Sequence, residues 1–268
     1  MPGHRLLRLG LIGLFLSYLL VPIAATVLFS VSTRWDRTTL PEGLSGEWFS
    51  RVFADEQFVS ALGRSLFISA ATVIGSVLLV APTAYWVHVR LPEGRGLVEL
   101  VTILPFGVPA VVLALAIVRF YAGPPIDFGR TPLMLIFACM VITLPFMYRP
   151  IANALGAIDV QMLTEAAESL GASWSTILLR VIAPNIWSGV VSGSLLVFTT
   201  VFAELTLVTL VTGARFKTLS MLLVEWTRQD GRIASALSVI SLAVAFGISI
   251  LAIWIGARQA AAHRQVVR

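Results

Sequence analysis

Two stretches of this chain place ionisable side chains where they have something to meet. The first is Glu165-Ala166-Ala167-Glu168-Ser169-Leu170-Gly171, followed thirteen residues on by Pro184. It is a polar, glycine-jointed patch between long apolar runs, so it lies in water and offers a surface to another macromolecule. The second is Glu204, in Phe202-Ala203-Glu204-Leu205-Thr206. A carboxylate at membrane depth is costly, and marks either a solute pathway or a polar partner such as Thr206 or Thr209. Catalytic chemistry is poorly provided for. Lys217-Thr218 follows Phe216 and not glycine, so no phosphate-binding loop of the G-x-x-x-x-G-K-[ST] kind exists. Gly193-Ser194 offers a serine, but His4, His88 and His263 fall in tails or at a span end, so no base is placed to activate it. Cys139 is the single cysteine and sits in an apolar run without metal-ligand neighbours. The expectation is a chain that is not an enzyme, with no cofactor and no metal.

The elements that position these residues follow from composition. Of 268 residues, 57% are hydrophobic and 12% charged, too little polar surface for a soluble domain of that length. A spanning helix needs roughly 20 apolar residues, because a core of about 30 Å is crossed at 1.5 Å per residue. Lipid admits only helices or closed barrels, and the runs here are long and do not alternate. The reading is an all-α polytopic membrane helix bundle of six spans: about Leu9–Val31, Ser65–Val87, Leu97–Phe120, Pro132–Met147, Ile186–Leu210 and Ile233–Ile255. Pro105 and Pro109 predict a kink in the third. A polar stretch, Ser32–Arg64, separates the first two spans, and Val211–Arg232 is polar again.

The net charge of +5 is nearly all arginine, with Lys217 the one lysine. The basic residues are scattered, which argues for headgroup anchoring and against nucleic acid. Six spans place both ends on one side. The tails 1–8 and 258–268 are basic and free of acids, so both are expected in the cytoplasm, around one membrane domain over 9–257. Arg119 is expected to snorkel to the interface, and Tyr85, Trp86, Trp226 and Trp35 to form the aromatic belts.

Between spans four and five, residues 148–184 are amphipathic. Leu163, Ala166, Ala167 and Leu170 fall at i, i+3, i+4, i+7, one helix face, with Gln161, Thr164, Glu165 and Glu168 opposite. Asp159 is placed to cap the helix start and Gly171 to close its end in the left-handed conformation. Ser173 can cap a second helix, whose face is Trp174, Ile177, Leu178, Val181 and Ile182. Pro184 then disfavours helix at Ala183 and marks entry into the fifth span. Such a pair could lie on the membrane as an interfacial anchor. The small residues Ala166, Ala167 and Gly171 instead leave a low surface that another protein can approach.

Glu165-Ala166-Ala167, three residues, Gly171, nine residues, Val181, one residue, Ala183 and Pro184 resembles the EAA loop of permease subunits of bacterial ABC importers. That pattern has isoleucine where Val181 stands and leucine where Ala183 stands. Pro145-Phe-Met-Tyr-Arg149, Ala157-Ile-Asp159 and Leu104-Pro105-Phe-Gly-Val-Pro109 resemble the same family, and the likeness runs from about Ser65 to Ala257. The resemblance implies a cytoplasmic coupling helix docked on one of two ATPase subunits, with Glu165, Ala166, Ala167, Gly171 and Pro184 as the coupling residues. It implies a second permease subunit, an extracytoplasmic substrate-binding protein, and a multi-pass place in the bacterial inner membrane. The layout resembles the polyamine (spermidine/putrescine) permeases, with 2-aminoethylphosphonate and ferric-iron permeases sharing it. Val211-Thr-Gly213, Thr218-Leu219 and Asp230-Gly231 resemble those groups too, and that region is expected to face the binding protein, with Glu204 a possible pathway residue. Two other classes compete. An intramembrane enzyme lacks a base. A self-sufficient secondary transporter needs a repeat or paired broken helices, of which Pro105 and Pro109 give only one.

Overall fold

The computed structural model describes residues 3–124 and 126–266, with side chains over 7–124 and 128–258. Pro125, His4, His263 and the ends of both basic tails lie outside the described side chains. Apolar runs become helices wherever the sequence can satisfy its own backbone: α1 (Gly3–Ser30), α2 (Glu47–Ala54) and α3 (Glu56–Arg90). Next come α4 (Arg95–Ile103), a 3-10 turn (Leu104–Gly107), α5 (Ala110–Tyr121) and α6 (Pro132–Gly156). A two-residue antiparallel ladder, Ala122–Gly123 with Ile126–Asp127, joins α5 to α6. After α6 come α7 (Val160–Ser169), α8 (Trp174–Thr176), a π-helical turn (Ile177–Ile182), α9 (Ala183–Asn185) and α10 (Trp187–Phe202). A second π-helical turn (Val208–Thr212), α11 (Leu219–Thr227) and α12 (Gly231–Val266) complete the chain.

α1, α3, α6 and α12 are long and apolar enough to cross a membrane alone, and two bent pairs pass the same test together, giving up to six spans. The kink expected at Pro105 and Pro109 is a full break of 93° between Pro92–Gly107 and α5. α6 runs on past Met147 to Gly156 although it contains Pro145 and Pro150. The fifth span is shorter than its apolar run: α10 stops at Phe202, and the chain bends 79° where α9 meets it.

The chain forms two compact units. One comprises Met1–Ser60 with Leu222–Val244. Here the polar stretch after α1 is ordered around Trp48, which is 7% exposed. Its indole Nε1 donates to the Ser32 carbonyl at 2.8 Å. The guanidinium carbons of Arg51 and Arg232 lie 4.8 and 4.6 Å from its ring centroid. Arg232 also pairs with Asp230 at 3.1 Å. That hydrogen bond holds the Asp230 carboxyl below the usual carboxylate range. Trp226 is buried at 5% exposure, so it is a packing residue and not a belt residue.

The second unit comprises Ala61–Met221 with Ala245–Arg268. Its core runs along α6, through Leu135, Cys139, Met147, Ile151 and Leu155, all fully buried. α10 lies on this face through two glycines four residues apart. A Cβ on Gly189 would stand 2.5 Å from the Pro150 carbonyl oxygen, and one on Gly193 would stand 2.9 Å from the Met147 sulfur. Small residues at this spacing let two helices approach closely where lipid offers no hydrophobic drive to bring them together. Gly189→Leu is expected to force the helices apart. Overpacking of this kind costs about 1–3 kcal/mol, occasionally more. The thermal midpoint of the purified protein should fall well below that of Ser188→Leu, whose side chain is exposed. Equal midpoints would contradict the close α6–α10 approach.

Candidate functional site

The segment from Asp159 to Asn185 builds an elbow. Asp159 caps α7, its Oδ1 accepting from the Met162 amide at 3.0 Å. The other end closes with Gly171 at φ +77°. The Ala172 amide donates to the Ala167 carbonyl at 3.0 Å and the Gly171 amide to the Glu168 carbonyl at 2.9 Å. These two bonds form a Schellman motif, which needs a left-handed residue at that position and so favours glycine. Ser173 caps the next helix, its Oγ accepting from the Thr176 amide at 3.4 Å. All three capping residues sit where the sequence places them.

The buried face of α7 is displaced. Periodicity puts Leu163, Ala166, Ala167 and Leu170 inward and Thr164 outward. In the structure Val160, Thr164 and Ala167 are buried, Ala166 is exposed and Leu170 is 88% exposed. The reason is that Thr164 meets its own polar needs. Its hydroxyl donates to the Val160 carbonyl at 2.7 Å. Its oxygen lies 3.1 Å from the Tyr85 hydroxyl. Tyr85 is 2% exposed, so it belongs to no aromatic belt. It pins α7 to α3, and Arg90 adds an exposed ion pair to Glu168 at 2.8 Å. The outer surface of the elbow then carries Glu165, Ala166, Leu170 and Gly171, with Trp174 beyond. Glu165 is steadied by Gln161 Nε2, which donates to it at 3.3 Å.

Pro184 behaves differently from the expectation. Ala183 is helical, at φ −55° and ψ −41°. The proline lacks an amide and crowds the carbonyl four residues back. The chain answers by widening to π geometry over Ile177–Ile182. The Val181 carbonyl is met at 2.7 Å by the Asn185 side-chain amide. The bend comes at Ile186, where the fifth span was expected to begin.

At the other end of α3, Ser65 Oγ accepts from the Leu219 amide at 2.9 Å. Arg64 donates to the Lys217 carbonyl at 3.4 Å. From Ser65 to Arg90 the helix rises roughly 38 Å. The elbow and the 216–219 segment therefore lie at opposite ends of a helix long enough to cross a bilayer. Thr218 and Leu219 are 3% and 2% exposed, so this part of the stretch is anchored and not a loop tip.

Glu204 lies at the break after α10 and not inside a helix. Its Oε1 accepts from the Leu207 amide at 2.9 Å. Its carbonyl accepts from the Ser220 hydroxyl at 2.7 Å. It is half-buried and caps the π-helical turn, and its partners are neither Thr206 nor Thr209. Sequence reasoning missed Ser69, Thr72 and Ser76. They recur on one face of α3, buried, with hydroxyls that have no hydrogen-bond partner among the described residues. Their spacing of three and four was the available signal. Among the described residues no group of histidine, cysteine and acids could hold a metal ion.

Long apolar helices with an exposed elbow between two of them are the architecture of a multi-pass membrane protein. Residues 81–262, more than half of the chain, match the family described as binding-protein-dependent transport system inner membrane component, and the chain belongs to that family. It is similar to the spermidine/putrescine transport system permease protein PotC of Escherichia coli K12, 28% identical over 92% of this chain and 94% of that one. It is also similar to the putrescine transport system permease protein PotI of the same organism, 25% identical over 82% and 80%. The fold matches a crystal structure of a bacterial ABC transporter involved in import of the acidic polysaccharide alginate. The TM-score is 0.75 at 17% identity, covering 95% of this chain and 94% of that one. The chain is thus an inner-membrane permease subunit of an ABC importer.

The Tyr85–Thr164 contact can be measured. Tyr85→Phe and Thr164→Val should each cost about 1 kcal/mol, the net worth of one buried hydrogen bond. The double variant should cost less than the sum of the two changes, because both remove the same bond, while Thr164→Val also gives up the bond to the Val160 carbonyl. A double variant whose loss equals the sum would show that the two side chains do not pair.

Proposed function

We propose that this chain forms half of the translocation pathway of a polyamine importer. Two cytoplasmic ATPase subunits work it through the elbow at Glu165, Ala166, Ala167, Gly171 and Pro184. The observation that carries the reading is the construction of that elbow. Its inner face is bonded to α3, its end is locked by Gly171, and its outer face presents small and apolar side chains to water. A push on Leu170 or Ala166 is carried to α3 by Tyr85 and Thr164, and towards α10 by the backbone through Pro184 and the bend at Ile186. This is the rigid-body coupling that alternating access requires. A second permease subunit would complete the pathway, and an extracytoplasmic binding protein would deliver the solute. The family description names that dependence, and similarity to PotC and PotI supports a small cationic cargo. Residues 1–8 and 258–268 would be cytoplasmic tails and 9–257 the permease domain, with the loop 148–184 facing the ATPase.

Glu204 is proposed to meet the cation. Its carboxylate stands where the fifth span opens and brings negative charge to that break. In the assembled importer, Gly171→Pro and Glu165→Lys are expected to leave the protein in the membrane but uncouple ATP hydrolysis from spermidine uptake. Normal uptake in both would defeat the docking assignment. Glu204→Gln keeps an oxygen for the Leu207 amide, so expression should hold while uptake falls. Unchanged uptake kinetics would confine Glu204 to its capping role.

A further inference from the structure

Glu204 is held from two sides, and the second hold comes from residues far along the chain. Its side chain spends Oε1 on the Leu207 amide at 2.9 Å. Its backbone carbonyl accepts from the Ser220 hydroxyl at 2.7 Å, across sixteen residues of sequence. α10 ends at Phe202, and carbonyls at a helix end lie outside the ladder of backbone bonds, so they need a donor from elsewhere. Ser220 is that donor.

Three features bring Ser220 to the break, all within the unit Ala61–Met221. Gly213 stands at φ +60° and ψ −158°, a region essentially confined to glycine, and there the chain leaves the π-helical turn. Ser65 is 4% exposed, and its Oγ takes the Leu219 amide at 2.9 Å. Arg64 donates to the Lys217 carbonyl, and its guanidinium carbon lies 5.4 Å from the Phe216 ring centroid. The Thr218 oxygen is 3.0 Å from the Ser220 oxygen. A serine hydroxyl has one proton, and that of Ser220 goes to Glu204, so Thr218 donates to Ser220 and fixes its rotamer.

A line of hydrogen bonds therefore runs from α3 to the carboxylate, from Ser65 to Leu219, from Ser220 to Glu204 and from Glu204 to Leu207. The Leu207 bond orients the carboxylate and leaves its second oxygen for a cation. The Ser220 bond places the residue that carries it. Fixing such a group before its ligand arrives strengthens binding, because the ordering cost is met in advance by the fold.

We propose that Ser220 is a positioning residue for cation recognition by Glu204, with Ser65 as its anchor on α3. The proposal rests on the reading of Glu204 as the group that meets the cation. Ser220 acts through Glu204 and not on the cargo, by holding the backbone at the break so that the second carboxylate oxygen is presented in one place.

The test measures equilibrium binding of radiolabelled spermidine to the purified complex of this chain with its permease and ATPase partners. The binding protein is left out, so that Kd reports the membrane site. Ser220→Ala is expected to raise Kd about fivefold, the equivalent of one hydrogen bond of about 1 kcal/mol. Ser220→Thr keeps the hydroxyl and should restore most of the affinity. Ser65→Ala frees the Leu219 amide and should raise Kd as well. Ser238→Ala removes a hydroxyl bonded within α12 and should leave Kd unchanged. In the Glu204→Gln background Ser220→Ala should add little, because the charge that it positions is gone. The proposal is overturned if Glu204→Gln raises Kd while Ser220→Ala or Ser65→Ala does not. It is overturned equally if Ser220→Thr binds as weakly as Ser220→Ala, if Ser238→Ala has the same effect, or if Ser220→Ala costs as much in the Glu204→Gln background as alone. Unchanged Kd in Glu204→Gln itself would remove the cation reading of Glu204, and this proposal with it.

Discussion

Every backbone amide and carbonyl at bilayer depth must find its partner within the protein, because hydrocarbon offers none. The breaks in this chain follow from that constraint, since each is repaired locally. At Pro105 and Pro109 the helix tightens to a 3-10 turn before α5 begins. At Pro184 it widens to π geometry, and Asn185 returns a side-chain amide to the Val181 carbonyl. At Ala203 a carboxylate takes the Leu207 amide. The helices between these repaired points keep their own backbone bonds.

The exposed elbow follows the same rule. Its helices are short, and short helices are marginal unless capped. Asp159 and Ser173 close the two starts, and the Schellman turn at Gly171 closes the end between them. The result is a connection capped on both sides and not an open loop. Stiffness is what a transmitting element needs, because a soft joint would absorb displacement as local motion. The Tyr85–Thr164 bond then ties that element to α3, and α3 carries the connection roughly 30 Å to Ser65.

Much of this was legible in the residues. Span positions follow from hydrophobic run length, and the three caps follow from the residue types at 159, 171 and 173. The EAA spacing gave the family before any geometry. What was hidden has a common cause. A threonine counts as polar in a periodicity, yet Thr164 is buried because it bonds backward to its own helix. Tyr85 reads as an interfacial aromatic from its place near a span end, yet its hydroxyl is used across the structure. Glu204 reads as a charge inside a helix, because apolar residues continue on both sides of a break that only the capping geometry reveals. Gly189 and Gly193 carry the packing of α10 against α6, and their spacing was in plain view. What was missing was knowledge of which helix lies opposite. In each case the deciding fact is a contact between residues far apart in sequence.

The central claim is that the elbow lies in the cytoplasm under an ATPase. Leu170 is 88% exposed, and the one native cysteine, Cys139, is fully buried, so Leu170→Cys gives a single reactive thiol. Labelling it with a membrane-impermeant maleimide tests the claim most directly. The account predicts no labelling in intact spheroplasts, labelling in inverted vesicles stripped of ATPase, and protection when the ATPase is restored. Labelling in intact spheroplasts, or no protection by the ATPase, would contradict it.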